Sequence, residues 1–149
     1  AAVIGVFSPT LTEPLAHSMK AMGVKRGMIV CGCDGMDEIT LTGTTHISEI
    51  KDDNVTSYDI NPADYGLKIT DAEQLKGGNG EENAETTKAI LAGKETGAKR
   101  DIVLLNAGAA IYCAGIADTL AEGIEKSKES IDSGKALEVL NKLVEFTNR

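Results

Sequence analysis

The stretch "VIGVFSPTLTEPLAHSMKAMGVKRGMIVCGC", from Val3 to Cys33, decides the fold class. Val3–Phe7 is a short apolar run of the kind a buried strand shows, and Ser8-Pro9 ends it. Thr12 can cap a helix whose first turn tolerates Pro14. Leu15, Met19 and Met22 recur at i, i+4 and i+7, so that helix has one apolar face, and Gly23 is placed to end it. "GMIVCGC" (Gly27–Cys33) reads as a second buried strand. Strand, helix, strand within roughly thirty residues is a βαβ pattern, and such crossovers join parallel strands.

Downstream the periodicity changes. "TTHISEI" (Thr44–Ile50) and "NVTSYDI" (Asn54–Ile60) alternate, with the polar Lys51-Asp52-Asp53 between them, which predicts a β-hairpin. "NPADYGL" (Asn61–Leu67) is a turn or a short helical piece. "LKGGNGEEN" (Leu75–Asn83) is a glycine-rich loop leading into a helix at Asn79 or Gly80. Glu81 and Glu82 suit the first turn of that helix by charge–dipole attraction, and Gly93 stops it. "DIVLLNAGAAIYCAG" (Asp101–Gly115) opens like a strand, but its length favours a buried helix capped by Asp101. Ile116, Leu120, Ile124 and Ile131 mark an amphipathic helix ended by "DSG". A last helix begins at Ser133 or Gly134, with one stripe of Leu137, Leu140 and Val144 and another of Val139, Leu143 and Phe146. The expected architecture is α/β: a sheet with a β-hairpin built from the first sixty residues, followed by a helical C-terminal half.

Composition sets the limits. At 149 residues the chain is one domain long and can bury a core without disulfide staples. Hydrophobic residues make up 42% while aromatics are 3% with no Trp, so the core must be aliphatic. A net charge of −8 argues against non-specific binding to nucleic acid or anionic membranes, which needs basic surface. The apolar runs fall far short of the ~20 residues of a membrane span. No basic segment followed by an apolar one opens the chain, so no secretory signal is read there. The first residue is Ala1, with no Met, which suggests processing or a missing N-terminal part. Cys31, Cys33 and Cys113 are odd in number and lack framework spacing, so free thiols in the cytoplasm are expected.

The segment after the second strand, "VCGCDGMDEIT" (Val30–Thr40), carries two chemical signals. Cys31-X-Cys33 is not the redox spacing, and a structural zinc site needs about four ligands that three Cys and two unpaired His do not supply. On a strand both thiols share one face, where small hydrophobes are welcome, so both are expected in the core. His17 and His46 read as a helix-surface residue and a hairpin residue. The oxygen cluster is the better site. Asp34, Asp37 and Glu38 follow the C-terminal end of a parallel strand, where open α/β sheets place their ligands. Adjacent acids are usually solvated surface, but on a turn they can converge. Mg²⁺ takes one or two carboxylates and completes its shell with water and substrate phosphates, which suits Asp37 and Glu38.

Five segments carry a resemblance: "GVFSP" (Gly5–Pro9), "GCDGMDEIT" (Gly32–Thr40), "GGNGEENA" (Gly77–Ala84), "RDIVLLNAGAAIYCAG" (Arg100–Gly115) and "IDSGKA" (Ile131–Ala136). In order and spacing they resemble the C-terminal part of the anthranilate phosphoribosyltransferase family across essentially the whole chain. The resemblance implies the large α/β domain of the nucleoside phosphorylase/phosphoribosyltransferase type, with residues 1–149 as the C-terminal portion of the catalytic domain. It implies transfer of the phosphoribosyl group from phosphoribosyl pyrophosphate to anthranilate, releasing pyrophosphate, a step of tryptophan biosynthesis. It also implies Mg²⁺ bound by Asp37 and Glu38, and homodimers formed through a separate helical domain. Met36 stands where the family often has Leu, and Cys31 where many members have His. The family's Gly-Thr-Gly-Gly-Asp loop, its Lys-His-Gly-Asn segment and an Arg that helps hold anthranilate have no counterpart in these residues. An N-terminal half is therefore expected as a partner, and this chain alone is expected to be inactive. "LKGGNG" is read as a turn before a helix, not as that phosphate loop. "NAGAA" (Asn106–Ala110) is read structurally: its small residues suit close helix packing, and Asn106, if buried, must satisfy its amide.

Two other readings compete. A pyrimidine-nucleoside-phosphorylase-like enzyme would not need Mg²⁺ on pyrophosphate, so the Asp-Glu pair speaks against it. A non-enzymatic relative that keeps this fold as a binding module would be marked by a basic nucleic-acid face, which a pI near 4.7 disfavours.

Overall fold

The computed structural model describes residues 1–148. Its centre is β2, Gly27–Gly32, in which all six residues are buried. β2 pairs in parallel with β1, Ala2–Gly5, and antiparallel with β3, Thr45–Lys51, which in turn pairs with β4, Asn54–Ile60. The strand order is β1-β2-β3-β4. The βαβ reading and the hairpin both hold. The hairpin closes in two residues, Asp52 and Asp53, with φ of 49° and 61°, the left-handed pair that matches the twist of the strands.

Alternation along β2 divides the core between two layers. Ile29 faces α1, Thr12–Ala21, and packs with Ala16, Met19 and Ile50. Met28 and Val30 face the opposite layer, where Ile47 joins Leu104, Leu105 and Ala109. Each such aliphatic side chain is worth roughly 1.5–3 kcal/mol when fully withdrawn from water. That second layer is helical: α2 is Gly80–Leu91, α3 Ala98–Cys113, α4 Leu120–Asp132 and α5 Lys135–Thr147. No helix of the described residues is long and apolar enough to cross a membrane.

Several boundaries differ from expectation for local reasons. A 3₁₀ turn over Pro9–Leu11 precedes α1, so Thr12 is the first helical residue and its buried hydroxyl donates to the Pro9 carbonyl at 2.9 Å. Helix α3 starts three residues before Asp101, with Gly97 as its N-cap, so Asp101 lies inside the first turn and caps nothing. Burial raises the Asp101 carboxyl above its ordinary value, against the pull of Arg100. Ile116 falls in the α3–α4 connection, 65% exposed. α4 starts at Leu120 because the Thr119 side chain accepts the Glu122 N–H. Of the two stripes on α5, Leu137, Leu140 and Val144 border a groove shared with α2, with Val144 still 51% exposed, and Val139, Leu143 and Phe146 are exposed as well.

The small residues of "NAGAA" let two helices touch. A Cβ on Gly108 would lie 2.7 Å from the backbone nitrogen of Ile124, and one on Gly123 would collide with the Gly108 carbonyl. Away from this crossing, Tyr112 donates to Glu49 at 2.6 Å and accepts from Lys51 at 3.1 Å, tying α3 to β3. The crossing has no slack, so Gly108→Ala should destabilise the fold by about 1–3 kcal/mol, the usual range for overpacking. Urea unfolding checks this; an unchanged midpoint would show that the helices can part without cost.

Candidate functional site

β1 and β2 end side by side, and the chain leaves β2 through a tight turn. The Gly35 N–H donates to the Gly32 carbonyl at 2.9 Å, and Gly35 has φ of +82°, which a side chain would disfavour. The Gly32 N–H donates to Met36 at 2.8 Å. Asp34 then ties the loop together: one carboxylate oxygen accepts the Met36 N–H at 3.0 Å, and the other accepts the hydroxyls of Thr40 at 2.8 Å and Thr42 at 2.7 Å. Partial burial raises its pKa, but the bonds from Thr42, Thr40 and the Met36 N–H outweigh this and hold the carboxyl below its ordinary value.

Asp37 and Glu38 are different. Both are exposed on this loop and line one hollow of about 260 Å³ with Val3, Gly5, Val30 and Asn106. Among the described residues neither carboxylate has a hydrogen-bond or ion-pair partner. The structure thus separates the three acids the sequence grouped: Asp34 is consumed by the loop, while Asp37 and Glu38 are left open.

Two groups that sequence reasoning did not connect to the pair hold its backbone. A Cβ on Gly5 would coincide with the Asp37 carbonyl, so the loop lies directly on the end of β1. On the other side Asn106, from α3, accepts the Ile39 N–H at 3.0 Å and donates to the Ile39 carbonyl at 2.8 Å and to Ile102 at 3.0 Å. Its half-buried amide is thereby satisfied. In the sequence Asn106 showed as a polar residue inside an apolar helix and as part of a segment carrying the resemblance, and neither signal tied it to the pair.

Other expected features find their places. Cys31 is buried, but Cys33 is exposed, because the strand ends at Gly32 and the thiol sits on the turn; the expectation that both would pack in the core fails at Cys33. Burial, with the negative charge of Asp34, raises the Cys31 thiol above its ordinary value. Both cysteines line a second hollow, about 440 Å³, with Phe7, Pro9 and His46. That hollow is larger, yet it lacks the free carboxylates. His46 contacts Asp59 across the hairpin at 2.6 Å, and His17 lies on the surface of α1, 3.7 Å from Glu13. The "GGNG" loop is a helix cap. Asn79 accepts the N–H groups of Glu81 and Glu82, Glu82 accepts that of Asn79, and Asn83 accepts that of Gly78. Those amides are spent on the protein and do not cradle a phosphate.

The donor set of the first hollow fits a hard divalent cation that shares its shell with a ligand. Asp37 and Glu38 offer oxygen only, on the surface, and among the described residues no third Asp, Glu, His or Cys completes a metal cluster.

A depressed pKa means that Asp34 contributes stability while ionised, and that this contribution is lost as pH falls through its folded-state value. Carboxyl NMR titration should place Asp34 below the ordinary 3.8, and Thr42→Val should move it upward. An Asp34 that titrates at its ordinary value would contradict the hydroxyl bonds described above.

The model of the glycosyl transferase family, a/b domain, matches residues 1–137. An anthranilate phosphoribosyltransferase from Acetivibrio thermocellus is 47% identical over 146 residues, which is 98% of this chain and 42% of that protein. The crystal structure of anthranilate phosphoribosyltransferase from Thermus thermophilus superposes with a TM-score of 0.89 at 37% identity, covering 97% of this chain and 42% of the other. The Saccharomyces cerevisiae enzyme in complex with phosphoribosyl pyrophosphate and Mg gives a TM-score of 0.84 at 27% identity, covering 93% and 40%. The chain thus spans about two fifths of the length of these relatives. With the model matched over so much of its length, the chain belongs to the glycosyl transferase family as its a/b domain.

Proposed function

We propose that these residues form the cation-holding part of an anthranilate phosphoribosyltransferase, which transfers the phosphoribosyl group of phosphoribosyl pyrophosphate to anthranilate in tryptophan biosynthesis. One observation carries the reading: two adjacent carboxylates without partners share a hollow at the ends of parallel strands, in a chain of this family. A relative of matching fold binds phosphoribosyl pyrophosphate and Mg, which supports the same ligands here.

Mg²⁺ held by Asp37 and Glu38 would neutralise charge on the departing pyrophosphate. The chain's own part is to keep both carboxylates open and fixed. Their exposure keeps them hydrated until a ligand arrives, and Gly5 and Asn106 hold their stretch of backbone from either side. The resemblance assigns the protein no nucleophile: orientation of two substrates and charge neutralisation carry the reaction. The net charge of −8 repels a polyanionic substrate at long range, so recognition has to be local, through metal and backbone amides. Location in the cytoplasm, in keeping with three free thiols, and pairing of complete protomers through a helical domain belong to the same reading.

The glycine-rich loop expected to grip the pyrophosphate is not among these residues, so the 149-residue chain should not turn over by itself. Loss of anthranilate fluorescence, with phosphoribosyl pyrophosphate and Mg²⁺ present, should appear only when the N-terminal part of a relative is added. Asp37→Asn should then lower the rate about 100-fold or more, the scale seen when charge stabilisation is removed from a transition state. Turnover by the chain alone, or activity on a nucleoside with phosphate instead, would overturn the proposal.

A further inference from the structure

We propose that Asn106 is the positioning residue that aims Asp37 and Glu38, by holding the backbone of the next residue, Ile39, from helix α3. This rests on the reading of the pair as the cation-holding group. Between Met36 and Thr40 the only hydrogen bonds on the chain, among the described residues, are the two that Asn106 makes with Ile39. The backbone amides of Asp37 and Glu38 have no partner among those residues, and neither have their side chains. Nothing else in the loop fixes the direction in which the two carboxylates leave it.

The geometry explains why the residue is an amide. Asn106 accepts from the Ile39 N–H and donates to the Ile39 carbonyl, so it exchanges both bonds with one residue. That is what a residue on a neighbouring antiparallel strand does, and here a side chain replaces the missing strand. The third bond, to Ile102 one turn back on α3, uses the second amide proton and orients the group. Reversed, the amide would set N–H against N–H and carbonyl against carbonyl, so its partners fix its direction. Aspartate, of the same shape, could accept from Ile39 but could donate to neither carbonyl.

The anchor itself is rigid. α3 is locked to α4 where Gly108 and Gly123 meet, two residues beyond Asn106, and Leu104 and Leu105 sit in the core beneath the sheet. On the far side of the loop the Asp37 carbonyl rests on Gly5. The chain is therefore held at Asp37 by β1 and at Ile39 by α3, with Glu38 between. A polar residue that merely tolerated its burial could have bonded only within its own helix. Asn106 instead spends two of its three bonds on the segment that carries the pair.

The test follows amide hydrogen exchange by NMR in the wild type, N106A and N106D, with Mn²⁺ alone as the binding probe. In the wild type the Ile39 amide and the Asn106 side-chain protons should exchange slowly. In N106A exchange should quicken at Ile39, while the β2 amides of Met28–Val30 keep their protection. N106D, which keeps the acceptor but not the donors, should fall between the two. Paramagnetic broadening of Asp37 and Glu38 should need about ten-fold more Mn²⁺ in N106A, the lower end of what outer partners of metal ligands contribute. A rapidly exchanging Ile39 amide in the wild type overturns the proposal even if neither variant folds. So does a broadening curve in N106A that matches the wild type. If the loop loosens in N106A but Mn²⁺ broadens the wild type and the D37N/E38Q double variant alike, Asn106 is upheld as the holder of the loop and the cation reading of the pair is overturned.

Discussion

Strand β2 is buried along its whole length, and the rest of the molecule answers to that. A strand covered on both faces and paired on both edges has no place for a charge, so charged residues can appear only once the chain has left that strand. It leaves at Gly32, and three acids follow within six residues. The turn must satisfy the polar groups it pulls close to the core and can leave open those it carries outward. Asp34, with three hydrogen bonds, belongs to the first kind, and Asp37 and Glu38 belong to the second. One acid builds the loop on which the other two are displayed.

Much of this was legible in the sequence because it depends on neighbours along the chain. The apolar runs at Val3–Phe7 and Gly27–Cys33, with a periodic helix between them, state a parallel pair. Alternation on either side of Lys51-Asp52-Asp53 states the hairpin, and Asn79 or Gly80 ahead of Glu81 and Glu82 states a helix start. Position after a parallel strand pointed to Asp34, Asp37 and Glu38 together, and the family resemblance narrowed them to the Asp37–Glu38 pair. Boundaries were less legible: α3 begins at Ala98 and not at Asp101, because Gly97 supplies the extended residue from which the helix springs. Cys33 was misplaced because strand periodicity was carried one residue past Gly32, where the chain already turns.

What could not be read was contact across the fold. Asn106 and Ile39 are 67 positions apart, and no period or spacing links them. Gly5 gave no sign that its missing side chain is occupied by the Asp37 carbonyl, since a glycine at a strand end usually reads as backbone freedom. Such long-range fits decide how accurately a site is held, whereas the local pattern decides only where it lies. The resemblance to a family found the acidic pair without finding what supports it, because motif matching ranks residues by identity and not by what they touch.

The surface charge adds a last constraint on how such a site can work. On a chain of net charge −8, two unpaired adjacent carboxylates raise the local negative potential and repel each other. Exposure to water keeps the cost of this small, which is why the pair lies at the rim of the sheet and not in its core. The same arrangement would be unstable if the loop could turn the carboxylates apart, since repulsion favours separation. Holding them together therefore calls for a backbone fixed from outside the loop, and by groups that add no positive charge. A salt bridge to Lys or Arg would neutralise the pair and compete with a cation. A neutral amide and a bare glycine hold the chain and leave both carboxylates unpaired, which is what the proposed cation site calls for.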